Sequence, residues 1–114
     1  MQGSFLRFYV HEGQRYRGRP VWEWLLEEAK GFGIRGGSAF HAMAGFGRHH
    51  VLHESRFFEL AGRLTVEVEF FVTDDEAGKF LAHLEPHAVR LFYARIPASF
   101  GILHPDGADP QPAA

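Results

Sequence analysis

Residues 64–76, with the sequence LTVEVEFFVTDDE, carry the pattern that decides the fold. Apolar and polar side chains alternate through residues 64–72, which predicts a strand with one buried face and one face that is partly wet or at an interface. Thr73 and Glu76 then form a capping box, with the threonine at the N-cap and the glutamate three residues on. We therefore predict a strand that runs directly into a helix.

Three further strands and one further helix are predicted around this unit. The predicted strands cover residues 4–10, 34–44, 64–72 and 89–96, and the predicted helices cover residues 20–30 and 74–84. Their order, β-α-β-β-α-β, is that of the ferredoxin-like α+β sandwich. The domain is expected to span residues 1–97. Residues 98–114 are rich in Pro, Gly and Ala and are expected to form a flexible C-terminal tail.

Composition excludes several classes of function. The chain has 114 residues and a net charge of −2, which argues against a nucleic-acid binder and a polybasic membrane anchor. Because there is no cysteine, disulfides and cysteine nucleophiles are excluded. No apolar run reaches the roughly 18 residues of a membrane span, and no signal peptide is recognisable. We expect a cytoplasmic protein that is not membrane-embedded, and the 12 Phe residues favour an oligomer.

The motif Gly45-Phe46-Gly47-Arg48 is the main candidate for ligand binding. Glycine lets the backbone turn sharply and approach a ligand closely, and arginine presents a fixed fork to anionic oxygens. Residues 48–63, which follow, are longer than a hairpin loop, and loops of that length are usually functional. The alternative is a turn that ends a strand, with a buried Phe46 and an Arg48 on the surface.

Three further side chains, His53, Arg56 and Arg95, are candidates for the same anion site. Arg95 lies near the end of the last predicted strand, where it would reach an anion in a cleft. The alternative for Arg95 is a surface arginine whose apolar stem is buried.

A histidine cluster supports a second hypothesis. His49, His50 and His53 are close in sequence, and imidazole is a common ligand of transition metals and a group that titrates near neutral pH. A metal- or pH-responsive binding protein is therefore the alternative to an anion sensor. No catalytic residue is predicted. Glu67 and Glu69 share one strand face, but ion pairs with arginines such as Arg7 explain them better than acid–base catalysis.

The chain resembles the PII signal-transduction superfamily. The residues that carry this resemblance are Gly45-Phe46-Gly47-Arg48 at the end of the second strand and TVEVEFFVTDD at positions 65–75. The sequence RGRPV at positions 17–21 and the spacing from Gly45 to His53 resemble one branch in particular, the domain-of-unknown-function family 190. The resemblance covers roughly residues 4–96.

This resemblance implies a homotrimer with ligand sites in the clefts between subunits. PII proteins bind adenine nucleotides there, and their T-loop docks on a transporter or enzyme. By position, Gly47 and Arg48 would lie beside the phosphates and residues 48–63 would be the T-loop. One departure is that residues 84–88, LEPHA, lack the Gly and Lys of the PII phosphate loop. AMP, ADP or bicarbonate therefore fits better than a triphosphate.

Overall fold

The computed structural model describes residues 1–46, 53–54 and 64–110. In these ranges the chain forms eight strands, two α-helices and one 3₁₀ turn. The elements are β1 Gln2–His11, β2 Arg15–Tyr16, β3 Arg19–Pro20, α1 Val21–Phe32, β4 Ser38–His41, β5 Ala44–Gly45, β6 His53–Glu54, β7 Thr65–Thr73, α2 Asp74–Leu84, the 3₁₀ turn Glu85–His87 and β8 Phe92–Ser99.

The main sheet has four strands in the order β4-β7-β1-β8. Strand β1 lies in the centre and pairs antiparallel with β7 and with β8, while β4 pairs antiparallel with β7 at one edge. Two small hairpins, β2–β3 and β5–β6, lie apart from this sheet. With two helices packed on the sheet, this is the predicted α+β arrangement, and the ferredoxin-like order of the main elements is confirmed.

One buried cluster holds the helices against the sheet. Strand β1 contributes alternate residues that are 0–3% exposed, and both helices add apolar side chains from their inner faces. Phe8 lies at the centre, with its ring centroid 6.2 Å from those of Phe70 and Phe80 in edge-on geometry. Edge-to-face packing is favourable for aromatic pairs beyond the area that they bury. The even-numbered side chains of residues 64–72 therefore lie in the core, as their alternation with polar residues predicted.

The capping box predicted at the start of the second helix is present, and a glycine ends the first helix. The hydroxyl of Thr73 accepts a hydrogen bond from the Glu76 backbone N–H (3.0 Å), and the Glu76 carboxylate accepts one from the Thr73 N–H (2.8 Å), so the capping box is complete. Helix α1 ends at Gly33, whose φ of 102° is the left-handed conformation that glycine adopts without strain. The predicted limit at residue 30 is two residues short, because α1 continues through Gly31 to Phe32.

The second strand is shorter than the predicted range 34–44. Only Ser38–His41 joins the main sheet, because the chain first packs Ile34 into the core and then passes Gly37 close to the ring of Phe70. A Cβ at Gly37 would overlap that ring. Beyond β4, residues 44–45 pair with β6 and not with the main sheet.

The last strand begins and ends three residues later than the predicted range 89–96. The 3₁₀ turn and the left-handed Ala88, with φ 57°, delay the entry of the chain into the sheet. Strand β8 lies at the edge, where the missing N–H of Pro97 is tolerated. Past Ser99, the backbone N–H of Phe100 donates to the Met1 carbonyl (3.0 Å) and the Met1 amine donates to the Phe100 carbonyl (2.9 Å). The expected domain limit at residue 97 thus falls within β8, and the flexibility of residues 98–114 stays a prediction.

Candidate functional site

A small hairpin lies at the base of the segment predicted to bind ligand. In it Ala44 pairs with Glu54 and Gly45 pairs with His53, so the chain leaves and re-enters at neighbouring positions. The N–H of Ala42 donates to the carbonyl of Thr65 (2.9 Å), which ties the start of this hairpin to the first residue of β7. The Phe46 side chain is 70% exposed, so the alternative of a buried phenylalanine in a strand-ending turn is wrong for this residue.

Most of the predicted ligand and metal residues lie outside the described part of the chain. These are Gly47, Arg48, His49, His50 and Arg56, and the side chain of His53 lies outside it as well. Of the residues predicted for the anion site, only Gly45, Phe46 and Arg95 are described in full, and the site itself stays a prediction. The predicted histidine cluster stays a prediction.

Glu12 lies at the same end of the sheet as the hairpin. Its backbone N–H donates to the carbonyl of Leu64 (2.7 Å), and its carboxylate Oε1 lies 3.2 Å from Nε2 of His41. The other carboxylate oxygen, Oε2, is buried and has no hydrogen-bond partner among the described residues. A buried carboxylate oxygen is stabilised by a nearby donor or cation.

Arg95 lies away from the hairpin, near the start of α2. Its Nε donates to the hydroxyl of Ser4 (3.2 Å), and its Nη2 donates to the backbone carbonyl of Asp74 (3.1 Å), at the start of α2. Arg95 pairs with Leu6 across the sheet, whereas His11, five residues further along β1, pairs with Thr65. Five strand residues span about 17 Å. The structure therefore does not bring Arg95 to Gly45 and Phe46 of the same chain.

The face of the sheet opposite the helices exposes several large apolar side chains. Its aromatic and aliphatic members include Phe40 (53% exposed), Phe71 (58%), Phe92 (71%) and Ile96 (45%). We refer to these four residues, together with Phe5, Arg7, Tyr9 and Glu69, as the open face. Several large apolar side chains exposed on one surface can mark a place where another molecule binds.

An ion pair lies in the middle of the open face. Arg7 Nη2 is 3.0 Å from Glu69 Oε1, and Arg7 Nη1 donates to the Tyr9 hydroxyl (3.2 Å). The hydrogen bond with Tyr9, together with the charges of Glu69 and Glu67, raises the pKa of Arg7 above its ordinary value. This confirms the expectation that Arg7 forms an ion pair with this glutamate face.

A second cluster of ionisable groups was missed by sequence reasoning. Glu28 on α1 meets His83 on α2, with 2.9 Å between Oε2 and Nε2, and His87 of the 3₁₀ turn lies beside them. The hydrogen bond from His83 lowers the pKa of Glu28 below its ordinary value. The spacing of four residues between His83 and His87 was a usable signal, because it places two imidazoles on one helix face. The sequence argument drew on residues 84–88 only for their lack of Gly and Lys.

Comparison with solved structures defines the fold. The fold matches CPII, a nitrogen regulatory PII-like protein from Thiomonas intermedia K12 bound to ADP, AMP and bicarbonate, with a TM-score of 0.62 and 14% identity over 89% of this chain and 97% of that one. It also matches a PII-like signaling protein from Thermus thermophilus, with a TM-score of 0.55 and 20% identity over 85% of this chain and 89% of that one. The fold is that of PII-like proteins.

Sequence comparison then identifies the family. The chain belongs to the DUF190 family (Uncharacterized ACR, COG1993), whose model matches residues 3–91. A UPF0166 protein from Aquifex aeolicus (strain VF5) is 31% identical over 82 residues, which are 72% of this chain and 78% of that protein. The predicted resemblance to this PII-like branch is confirmed. Within the described residues, neither helix has the length and apolar character needed to cross a membrane.

Proposed function

We propose that this chain is a PII-like sensor, without enzymatic activity, that binds a small anionic effector in a cleft between the subunits of a homotrimer. The effector is an adenine nucleotide such as AMP or ADP, or bicarbonate. Binding changes the conformation of residues 48–63, which then regulate a partner such as a transporter or enzyme in the cytoplasm. The mechanism is a shift between conformations of this segment and needs no bond chemistry.

The observation that carries this proposal is the shared fold with CPII, which binds ADP, AMP and bicarbonate. The placement of the β5–β6 hairpin supports it, since Gly45 and Phe46 enter the proposed effector loop from the end of the sheet. The effector site is proposed at Gly45, Phe46, Gly47, Arg48, His53, Arg56 and Arg95.

Two features of the described residues support a site shared between subunits. Arg95 lies on β8 and the hairpin follows β4, and these strands form opposite edges of the sheet. Three strand spacings separate those edges, about 14 Å. Arg95 can therefore join Gly45 and Phe46 only from a second copy of the chain. The exposed apolar side chains of the open face supply a surface that such copies would bury.

The turn after α2 supports a small effector. Glu85–His87 is a 3₁₀ turn, and the left-handed residue that ends it is Ala88. This segment contains no lysine to bind a terminal phosphate and one carboxylate that would repel it. We therefore expect AMP or ADP to bind more tightly than ATP.

Calorimetric titration of the purified protein with AMP, ADP, ATP and bicarbonate tests the effector. Arg48→Ala removes a charge-assisted hydrogen bond and should weaken binding of the preferred nucleotide by about 10–100-fold. Arg35→Ala is the matched control, because Arg35 is an exposed arginine that follows the C-terminal end of α1 and is not part of the proposed site. Unchanged affinity in Arg48→Ala would rule out this assignment.

A mixing experiment tests whether the site is shared. Arg48→Ala and Arg95→Ala homotrimers should each bind nucleotide weakly. Co-expressed trimers that contain both variants should regain a fraction of full-affinity sites, because some clefts then receive Arg48 from one subunit and Arg95 from its neighbour. The absence of any regained sites would contradict a site built from two subunits.

A further inference from the structure

We propose that Glu28, His83 and His87 form a binding site for one divalent transition-metal ion, such as Zn²⁺, in each chain. This site does not depend on the proposed effector function and uses none of the residues assigned to it. The three groups come from α1, α2 and the 3₁₀ turn, so a bound ion would join three elements that are separate in sequence.

The ligand atoms already lie at nearly the spacing that a metal needs. One ligand atom from each of Glu28, His83 and His87 lies within 4.8 Å of the others. Two ligands of a tetrahedral Zn²⁺ ion with bonds of about 2.0–2.1 Å are about 3.3 Å apart. A small shift of the His83 side chain, which is 39% exposed, within its present ring contacts would close the remaining gap. The present 2.9 Å hydrogen bond between Glu28 and His83 would be replaced by two bonds to the ion.

Outer contacts orient two of the three ligands. The indole Nε1 of Trp24 donates to Glu28 Oε1 (3.0 Å), which leaves Oε2 directed at His83. The Tyr16 hydroxyl and His87 Nδ1 are joined by a hydrogen bond of 3.0 Å, so Nε2 of His87 is the nitrogen available to a metal. Ligands in metal sites are held in this way by hydrogen bonds to the atom that does not bind the ion.

Aromatic rings limit the rotation of both histidines. The His83 ring lies 5.3 Å from that of Phe32 and is stacked near that of Phe80 at 6.3 Å. The His87 ring meets Trp24 edge-on at 5.1 Å. Imidazole rings packed in this way lose little further rotational freedom when they bind an ion.

The donor set selects the class of ion. Two imidazoles and one carboxylate suit Zn²⁺, Ni²⁺, Co²⁺ or Cu²⁺, whereas Mg²⁺ and Ca²⁺ prefer sites made of oxygen ligands alone. Three protein ligands leave a fourth position for water or for another ligand. Because Glu28 is 28% exposed, the site lies at the surface, where an ion can enter and leave.

Metal uptake by the full chain, stripped with chelator and then dialysed against Zn²⁺, tests the site. We expect one Zn²⁺ per chain and no retention of Mg²⁺. His83→Gln and His87→Gln should each lose this ion. Retention is expected in His104→Gln, a matched exposed histidine, and in the triple variant of His49, His50 and His53. Absence of uptake, survival of uptake in both single variants, or loss in the triple variant would overturn the proposal.

Two measurements keep the test decisive if a glutamine variant fails to fold. Tyr16→Phe keeps the ring but removes the hydroxyl, and should weaken Zn²⁺ binding by about 10–100-fold with an unchanged circular dichroism spectrum. In the unaltered chain, Zn²⁺ should shift the side-chain ¹⁵N resonances of His83 and His87. If these resonances do not move at saturating Zn²⁺, the cluster is only a hydrogen-bonded contact between helices and the proposal is wrong.

Discussion

The two faces of the main sheet are built by the same strands and yet have different surroundings. On the helix side, Leu6, Phe8 and Val68 are fully buried. On the open face, Phe71 and Phe92 belong to the paired strands β7 and β8 but remain 58% and 71% exposed. Alternation along a strand therefore yields two apolar surfaces, and one chain covers only the first of them. The second surface stays exposed in the single chain.

The largest effect is expected from damage to the covered face. Phe80→Ala removes a fully buried ring that packs against Phe8, Phe70 and Phe32. The free energy of unfolding should fall by about 3–5 kcal/mol, because the cavity cannot collapse fully. Urea unfolding followed by circular dichroism measures this loss.

The control for Phe80→Ala is Leu103→Ala, at a side chain that is 89% exposed. Its unfolding free energy should stay within about 0.5 kcal/mol of the original. Equal losses in the two variants would remove the distinction between the covered and uncovered parts of the molecule.

A smaller effect is expected from a single added methyl group on the covered face. In Gly37→Ala the new Cβ would overlap the ring of Phe70, and the cost should be about 1–3 kcal/mol. Gly36→Ala is the matched control one residue away, because no atom lies within 4 Å of its Cβ position. Thermal unfolding of the two variants compares them directly, and equal melting temperatures would contradict the close approach.

The smallest effect on the folded chain is expected from changes to the open face. Phe71→Ser combined with Phe92→Ser should leave the circular dichroism spectrum unchanged, since neither ring lies in the core. The same change should abolish self-association, because it removes apolar area that an oligomer would bury. Sedimentation velocity distinguishes the outcomes, and an intact oligomer would show that copies of the chain associate through another surface.

Features set by residues close in sequence could be predicted, whereas features set by packing between distant residues could not. The strand at residues 64–72 and the capping box of Thr73 and Glu76 are local patterns, and both are confirmed. The limits of β4 and β8 were missed, because the position of Gly37 against Phe70 and the left-handed Ala88 are set by packing. No pattern over a few residues contains that information.

The same distinction applies to the sites. Glu28 and His83 are 55 positions apart and meet only because α1 and α2 pack side by side, so the sequence offered only the pair of histidines. The motif at residues 45–48 was recognisable by its glycines and arginine. Its geometry extends beyond the described residues, and the role of Arg48 stays a prediction.

The proline in β8 has a consequence for how molecules meet in concentrated solution. Strand edges present rows of N–H and C=O groups that can pair with another chain and begin fibrous aggregation. At Pro97 the outer edge of β8 lacks a donor, and at the opposite edge β4 is only four residues long. A strand from a neighbouring molecule could therefore form only an interrupted set of hydrogen bonds with β8 and only a short set with β4. The sheet is therefore protected at its edges while its open face stays available for association.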